Sequence, residues 1–363
     1  MDGKTYPIVR VIAGGSVPID LFVDPQSGAY VRAVIDPGSS GETTLNILSY
    51  MTLAPGKRMI GSFRFDDERG SYSYTKSTID GAISAADLHP PASSAMWTFA
   101  NDRPFKIQLT PDRIYVDATV NGVPGTFILD SGDDGITFTD QFADRAKVAS
   151  MMDSKAYGIG GLFKTRTRRA QSIVIGGNTL SNVIVTTYNN KYPRKKDGVN
   201  PDGLMGFDLL AGALITLDTA DQTMRIQNPA TATAETAGGL PAVVDLSGGI
   251  PTLPVTLAKT VTIQASFDTG DPDLVLFSSA LLDHGLTILT HRAVVGGLGG
   301  AEFARCGEIP SIELGPIVYQ DPLACATADF SKHSGLIGLD FLRHFNFVFD
   351  YQHSRIVMIP HTH

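Results

Sequence analysis

Along most of the chain, apolar and polar residues alternate in short runs that stop at glycine, proline, asparagine or aspartate. The stretches Arg113 to Asp130 (RIYVDATVNGVPGTFILD) and Ser172 to Val185 (SIVIGGNTLSNVIV) are typical. A period of two marks strands with one buried face. Asn121-Gly122 and Gly177-Asn178 sit between such runs and supply the positive-φ conformations that tight hairpin turns need. Helical spacing is confined to short pieces, Thr139 to Val148 and Leu339 to Phe345. The pattern predicts a mostly β protein.

Two stretches poor in large apolar side chains, His89 to Trp97 and Asn228 to Pro241, read as linkers. They divide the chain into an N-terminal accessory antiparallel β domain (1–101) and two further segments (102–230 and 231–363), each of ordinary domain size. The first segment is a meander with a turn at Asp24-Pro25-Gln26-Ser27-Gly28. The last two segments repeat each other. The run from Gly203 to Ile226 matches that from Gly335 to Met358 at a constant offset, aligning Gly206 with Gly338, Asp208 with Asp340 and Asp218 with Asp350. Upstream, Asp130 aligns with Asp268. Two copies of one plan imply a two-lobed body with quasi-twofold symmetry.

Composition narrows the function. In 363 residues there are 29 Lys+Arg against 37 Asp+Glu, a formal net charge of -8. Such a chain has no broad basic surface to displace counterions from phosphates, so nucleic acid is not an expected partner. No apolar stretch approaches the roughly 20 residues of a membrane-spanning helix. The first residues, MDGKTYP, carry no export signal, consistent with a cytoplasmic protein or with the mature part of an exported one. The histidines show no zinc spacing, His361 and His363 read as a loose terminus, and neither metal nor cofactor is expected. Cys306 and Cys325 lie equally far from Gly315-Pro316, so a hairpin folded there sets them opposite each other; a disulfide and two buried thiols both fit.

The chemistry is concentrated in two tripeptides. Asp130-Ser131-Gly132 follows Phe127-Ile128-Leu129, and Asp268-Thr269-Gly270 follows Phe267. An aspartate at the end of a buried strand is costly unless something uses it; the competing reading is an aspartate that caps its own turn. Quasi-symmetry brings the two strand ends together. Two carboxylates within hydrogen-bond reach cannot both ionise cheaply, so they share a proton, one polarising a water and the other protonating a carbonyl. Gly132 and Gly270 permit close backbone approach, and the Ser131 and Thr269 hydroxyls can bond across the lobe interface.

With these motifs the chain resembles a retropepsin-like aspartic protease, with two tandem units in one polypeptide, over roughly Phe105 to Pro360. The resemblance also rests on Leu204-Met205-Gly206 and Leu336-Ile337-Gly338, each followed by a closing strand. It implies a bilobal acid-protease-like double β-barrel with an inter-lobe cleft, an aspartic endopeptidase acting on peptides or proteins, and a site complete without a homo-oligomer. It further implies two glycine-rich flaps, one carrying Tyr157, Gly158, Gly160 and Gly161, the other Gly296, Gly297 and Gly299. Asp134 falls where such enzymes bind substrate backbone. Together with a Cys306–Cys325 bridge, the resemblance favours an exported, periplasmic protein.

The chain departs from the family at Asp133 and Asp271, where Ala or Ser is usual. An extra carboxylate there is expected to raise a neighbouring aspartate's pKa by like-charge repulsion, unless it faces solvent or meets an arginine. These two residues leave room for an alternative, a non-catalytic peptide- or lipid-binding protein that kept the cleft. The N-terminal meander resembles part of the curved sheet of bacterial lipoprotein carriers, where Asp-Pro-x-[Ser/Thr]-Gly turns recur. Asp36-Pro37-Gly38 looks like a third tripeptide, but Pro37 has no hydroxyl to bond across an interface, so a turn is expected. Lys164, Arg166 and Arg168 alternate along one run and read as a solvated face or as a preference for acidic substrates.

Overall fold

The computed structural model describes residues 5–11, 19–35, 43–65, 71–73, 96–189, 198–232, 238–272, 275–284, 286, 291–328, 330 and 334–361. Asp36-Pro37-Gly38, His363 and most of the first linker lie outside them. The chain forms two compact units, Met1–Pro90 and Pro91–His363.

The first unit is an antiparallel sheet in chain order: β1 (Ile8–Val11), β2 (Ile19–Val23), β3 (Tyr30–Ile35), β4 (Thr43–Ala54), β5 (Lys57–Phe65) and β6 (Ser71–Ser73). Its predicted turn forms because the Asp24 carboxylate accepts from the Gln26 N–H (2.9 Å) and the Ser27 hydroxyl (3.0 Å), while Gly28 takes a φ of 64°.

The second unit contains both repeats. Short strands β7 (Met96–Thr98), β8 (Phe105–Lys106) and β9 (Gln108–Leu109) enter lobe 1. Its body is β10 (Ile114–Val120), β11 (Val123–Leu129), β12 (Ile136–Thr139), helix α1 (Asp140–Arg145), β13 (Ala149–Gly158), β14 (Gly161–Ile175), β15 (Asn178–Tyr188), β16 (Gly203–Met205), helix α2 (Phe207–Leu210), β17 (Leu214–Asp218) and β18 (Thr223–Gln227). Lobe 2 repeats the plan. It runs through β19 (Leu240–Val243), β20 (Thr252–Leu257), β21 (Val261–Phe267), β22 (Val275–Ser278), β23 (His291–Gly297), β24 (Gly300–Glu308), β25 (Ser311–Leu314), β26 (Ile317–Gln320), β27 (Leu323–Thr327), β28 (Ser334–Ile337), helix α3 (Leu339–Leu342), β29 (Phe345–Asp350) and β30 (Arg355–Pro360).

Lobe 1 closes on itself. Strand β14 pairs with β10, β10 with β11, β11 with β16, β16 with β12, β12 with β15, and β15 again with β14. A closed barrel leaves no edges and buries one face of every strand. Lobe 2 follows the same circuit, β24-β27-β22-β28-β21-β20-β25, with each long strand of the β14–β15 hairpin split in two. Pro310 and Pro322 stand at the breaks, bridged by Ile309 N–H to Pro322 C=O (3.0 Å) and Asp321 N–H to Pro310 C=O (3.1 Å). The register continues across the breaks, so Cys306 faces Cys325 as Ser311 faces Gln320. The two cysteines form a disulfide, with Cα atoms 4.1 Å apart.

A third sheet joins the lobes in the order β19-β30-β29-β17-β18-β8. Strand β17 of lobe 1 meets β29 of lobe 2, with Ile215 opposite Phe349 and Leu217 opposite Phe347. Phe267, the last residue before Asp268, packs edge-on against Phe347 and Phe349 at 5.2 and 6.1 Å between ring centroids. The second tripeptide is thereby seated on the joint between the lobes. The chain is mostly β with two tandem barrel-like units and a small N-terminal sheet, as its patterning predicts. No helix among the described residues is long and apolar enough to cross a membrane. His361 is tied in, its Nε2 lying 2.8 Å from the Thr219 hydroxyl and 3.1 Å from Asn346 Oδ1, so that part of the C-terminus is not loose.

Phe347 is fully buried, whereas Phe303 on β24 is 75% exposed. Phe347→Ala is expected to cost about 3–5 kcal/mol, and Phe303→Ala to stay within about 0.5 kcal/mol of the parent. Denaturant unfolding of the full chain measures both.

Candidate active site

Each tripeptide is held from behind by the strand that leads into its repeat's late glycine. Strand β11 runs parallel to β16, and β21 parallel to β28. The Asp130 N–H donates to the Met205 carbonyl and the Asp268 N–H to the Ile337 carbonyl, both at 3.0 Å. At Gly206 the backbone passes so close that a Cβ would overlap the Asp133 and Asp130 backbones. Gly206 and Gly338 lead into α2 and α3, whose first residues bond back to the loops: Phe207 N–H to the Asp133 carbonyl (2.9 Å) and Leu339 N–H to the Asp271 carbonyl (2.7 Å).

The two loops grip each other reciprocally. The Ser131 N–H donates to Thr269 Oγ1 and the Thr269 N–H to Ser131 Oγ, each at 3.0 Å. The Ser131 hydroxyl donates to the Phe267 carbonyl (2.6 Å) and the Thr269 hydroxyl to the Leu129 carbonyl (2.8 Å). Ser131 is 1% exposed and Thr269 is fully buried, so these four bonds have no competing water. Each hydroxyl donates once and accepts once across the interface, a dual role that explains why a hydroxyl residue follows both aspartates.

This grip sets the carboxyls against the opposite loop. A Cβ on Gly132 would overlap the Asp268 carboxyl, and one on Gly270 the Asp130 carboxyl. Asp130 Oδ1 accepts from the Gly132 N–H (2.9 Å). Asp268 Oδ1 accepts from Gly270 N–H (2.8 Å) and Asp271 N–H (3.1 Å). Each carboxyl bears on the proton of the other. Burial, and then the charge of Asp133, push the Asp130 pKa up to about 7, against the hydrogen bonds from Asp268 and Gly132 and the charge of Arg113. Burial followed by the charge of Asp130 holds Asp268 well above the usual carboxylate range. Such a pair titrates as a unit.

The two departures from the family are not equivalent. Asp133 directly follows the first tripeptide, is half-buried, and is pushed up to about 7 by burial first. Its Oδ2 is buried without a hydrogen-bond partner. Asp271 is 9% exposed, and its N–H serves Asp268. Asp134 is exposed, abuts the loop at Gly249, and adds its charge to that felt by Asp133 and Asp208.

Both glycine-rich segments form hairpins with two-residue tips, Gly158 pairing with Gly161 and Gly297 with Gly300. The tips touch, because a Cβ at Gly160 would overlap Gly300 and one at Gly299 would overlap Gly161. Gly160 and Gly161 take φ of 92° and 112°, Gly300 of 140°, a region side chains avoid. Each tip sends an apolar residue to the other lobe. Ile159 packs against Leu276, Val295, Leu336 and the disulfide of lobe 2, and Leu298 against Tyr115, Ile128 and Leu204 of lobe 1. Sequence reasoning singled out the glycines and passed over these two. Their signal was the matching Gly-apolar-Gly-Gly at both tips. Tyr157 is 69% exposed on the flap, and Gly296 lies opposite Ala301 near the other tip.

Arg168 does not lie on a solvated face. It is 6% exposed, with Asp144 at 2.7 Å and Asp140 at 3.4 Å. Arg166 also engages Asp140 at 3.3 Å. The pull of the α1 carboxylates outweighs the outward position that alternation assigns.

Two outcomes follow. Ser131→Ala and Thr269→Ala each strand buried backbone groups and are expected to lower stability by about 1–3 kcal/mol, while Thr269→Ser retains most of it; denaturant titration ranks the three. Because Asp130 and Asp133 bind protons more tightly folded than unfolded, from the ordinary value of 3.8 up to about 7, their stabilisation is full below the lower value and is lost as pH rises through the upper. The melting temperature is expected to fall between those pH values, with a shallower slope in Asp133→Asn.

A search of curated proteins finds no match. A family model described as aspartyl protease matches residues 116–209 and 253–341, one stretch in each lobe and together just over half of the chain. Two tandem retropepsin-like units are thus fused in this chain, which belongs to the aspartyl protease family.

Proposed function

We propose that the protein is an aspartic endopeptidase in which Asp130 and Asp268 share one proton and hydrolyse peptide bonds with an activated water. The observation that carries this is the reciprocal Ser131–Thr269 grip, which sets each carboxyl over the other loop's glycine. The ionised member takes a proton from water as it attacks the carbonyl carbon, and the protonated member gives its proton to the carbonyl oxygen. The proton taken from water then passes to the leaving amine as the C–N bond breaks. Gly132 N–H and Gly270 N–H orient the carboxyls throughout. The two flaps lie over an extended peptide and bond its backbone. No cofactor takes part, and since one chain supplies both acids, no second copy is needed.

The disulfide supports an oxidising compartment, and we place the protein outside the cytoplasm, in the periplasm. A binding protein without hydrolysis, holding a peptide or a lipid, draws on the additional carboxyls of Asp133 and Asp271 that follow the two tripeptides.

Asp130→Asn and Asp268→Asn are each expected to lower peptide hydrolysis by about 10²–10⁴-fold without lowering the unfolding midpoint. Full activity in either variant would remove the proposal. A statine-type transition-state mimic separates the readings, because its tight capture at acidic pH requires the shared proton, whereas a binding protein takes the mimic and the plain peptide alike.

A further inference from the structure

On the strand that leads to Asp130, alternation divides the side chains between two faces. Phe127 and Leu129 belong to the core of lobe 1 and Ile128 does not. Ile128 therefore lies on the face that Asp130 continues two residues later, about 6.6 Å along at the rise of a strand. The neighbouring strands each add one residue to that face. Tyr115 on β10 stands opposite Ile128, between the core residues Ile114 and Val116, and Leu204 on β16 stands beside Ile128, next to the core residue Met205. These three form an apolar patch of their own, apart from the core, and are 4%, 8% and 9% exposed. Leu298 packs on the patch from the flap of lobe 2, so an aliphatic side chain from outside lobe 1 is already seated there.

Lobe 2 fills the corresponding positions differently. Ser266 precedes Asp268 by two residues, as Ile128 precedes Asp130. It stands opposite Thr252 on β20 and beside Leu336 on β28. The β10–β11 hairpin turns through Asn121-Gly122 and the β20–β21 hairpin through Ala258-Lys259-Thr260, so the ladder, not the sequence offset, matches Thr252 with Tyr115. The neighbours Leu253, Ala265 and Phe267 are core residues, whereas Thr252 and Ser266 are half-buried. Where lobe 1 has an aromatic and two aliphatic side chains, lobe 2 has two hydroxyls and a leucine.

We propose that the residues on the two sides of the scissile bond are selected by different chemistry: Tyr115, Ile128 and Leu204 accept a large apolar side chain, and Thr252 and Ser266 a small or hydroxyl-bearing one. This rests on the peptidase reading for the cut itself, while the two surfaces select among bound peptides whether or not the bond is broken. A leucine entering on the lobe 1 side takes over the contacts that Leu298 now makes. On the lobe 2 side it covers two hydroxyls without bonding them, a cost that a serine avoids by hydrogen-bonding. A serine on the apolar patch loses water and gains no partner.

Four alanine-based peptides test this on the full chain. Each has a hydroxyethylene group in place of its central amide, so that it cannot be cut, and this group is flanked by Leu–Leu, Leu–Ser, Ser–Leu or Ser–Ser. Calorimetry gives their affinities. In the parent, one of the two mixed mimics is expected to bind about tenfold tighter than the other, and tighter than Leu–Leu. Ile128→Ser, which gives lobe 1 the residue of lobe 2, is expected to narrow the difference between the mixed mimics. Ser266→Ile is expected to narrow it too, and to raise the affinity for Leu–Leu. Mixed mimics that bind the parent equally, a parent that prefers Leu–Leu, a difference unchanged in both variants, or no binding of any mimic overturns the proposal. Should Ile128→Ser fail to fold, the parent and Ser266→Ile decide. If the preference is found but the amide counterpart of the tightest mimic stays uncut at every pH, the peptidase reading fails and the assignment of the two surfaces stands.

Discussion

The structure turns on keeping two half-buried acids together. Asp130 and Asp268 repel each other once both ionise, so the loops would spread unless something stronger held them. That something is the exchange between Ser131 and Thr269, in which each hydroxyl bonds the other loop's N–H and the carbonyl of the strand beyond it. Hydrogen bonds in a dry interior are costly to leave unmade, so separating the loops exposes four unsatisfied partners at once. The barrels, the late glycines and the central sheet all serve to present these loops at one place.

Energetically the site is a compromise. Strands ending in Phe127-Ile128-Leu129 and in Phe267 form good cores, and Phe267 reaches the aromatic cluster of the central sheet, which fixes the strand ends with little freedom. The same burial deprives the carboxyls of water and lifts their pKa values. Stability and proton affinity are therefore coupled through one geometry, and the centre is most at ease while it keeps its protons.

Much of this was legible in the sequence because it is written in local patterns. Period-two alternation gave the strands, and the repeat of Asp-[Ser/Thr]-Gly with its late glycine located the loops and the symmetry. Equal spacing of Cys306 and Cys325 about Gly315-Pro316 anticipated their opposition, even though Pro310 and Pro322 interrupt the hairpin. What stayed hidden depends on contacts between distant segments. Arg168 looks outward by alternation, yet the carboxylates of α1 capture it. The crossing of Ile159 and Leu298 to opposite lobes is invisible until both hairpins are placed. Asp133 stood out as a departure, but the close approach of Gly206 to it comes from another part of the chain.

Fusion of the repeats also frees each half to change without the other. In an assembly of identical subunits every substitution is made twice, and a groove along the axis reads the same from either direction. Here one hairpin is continuous while its counterpart is broken by prolines and cross-linked at its base. The two halves are consequently unlike in the hairpin they share by descent, and the quasi-twofold relation between them is broken there.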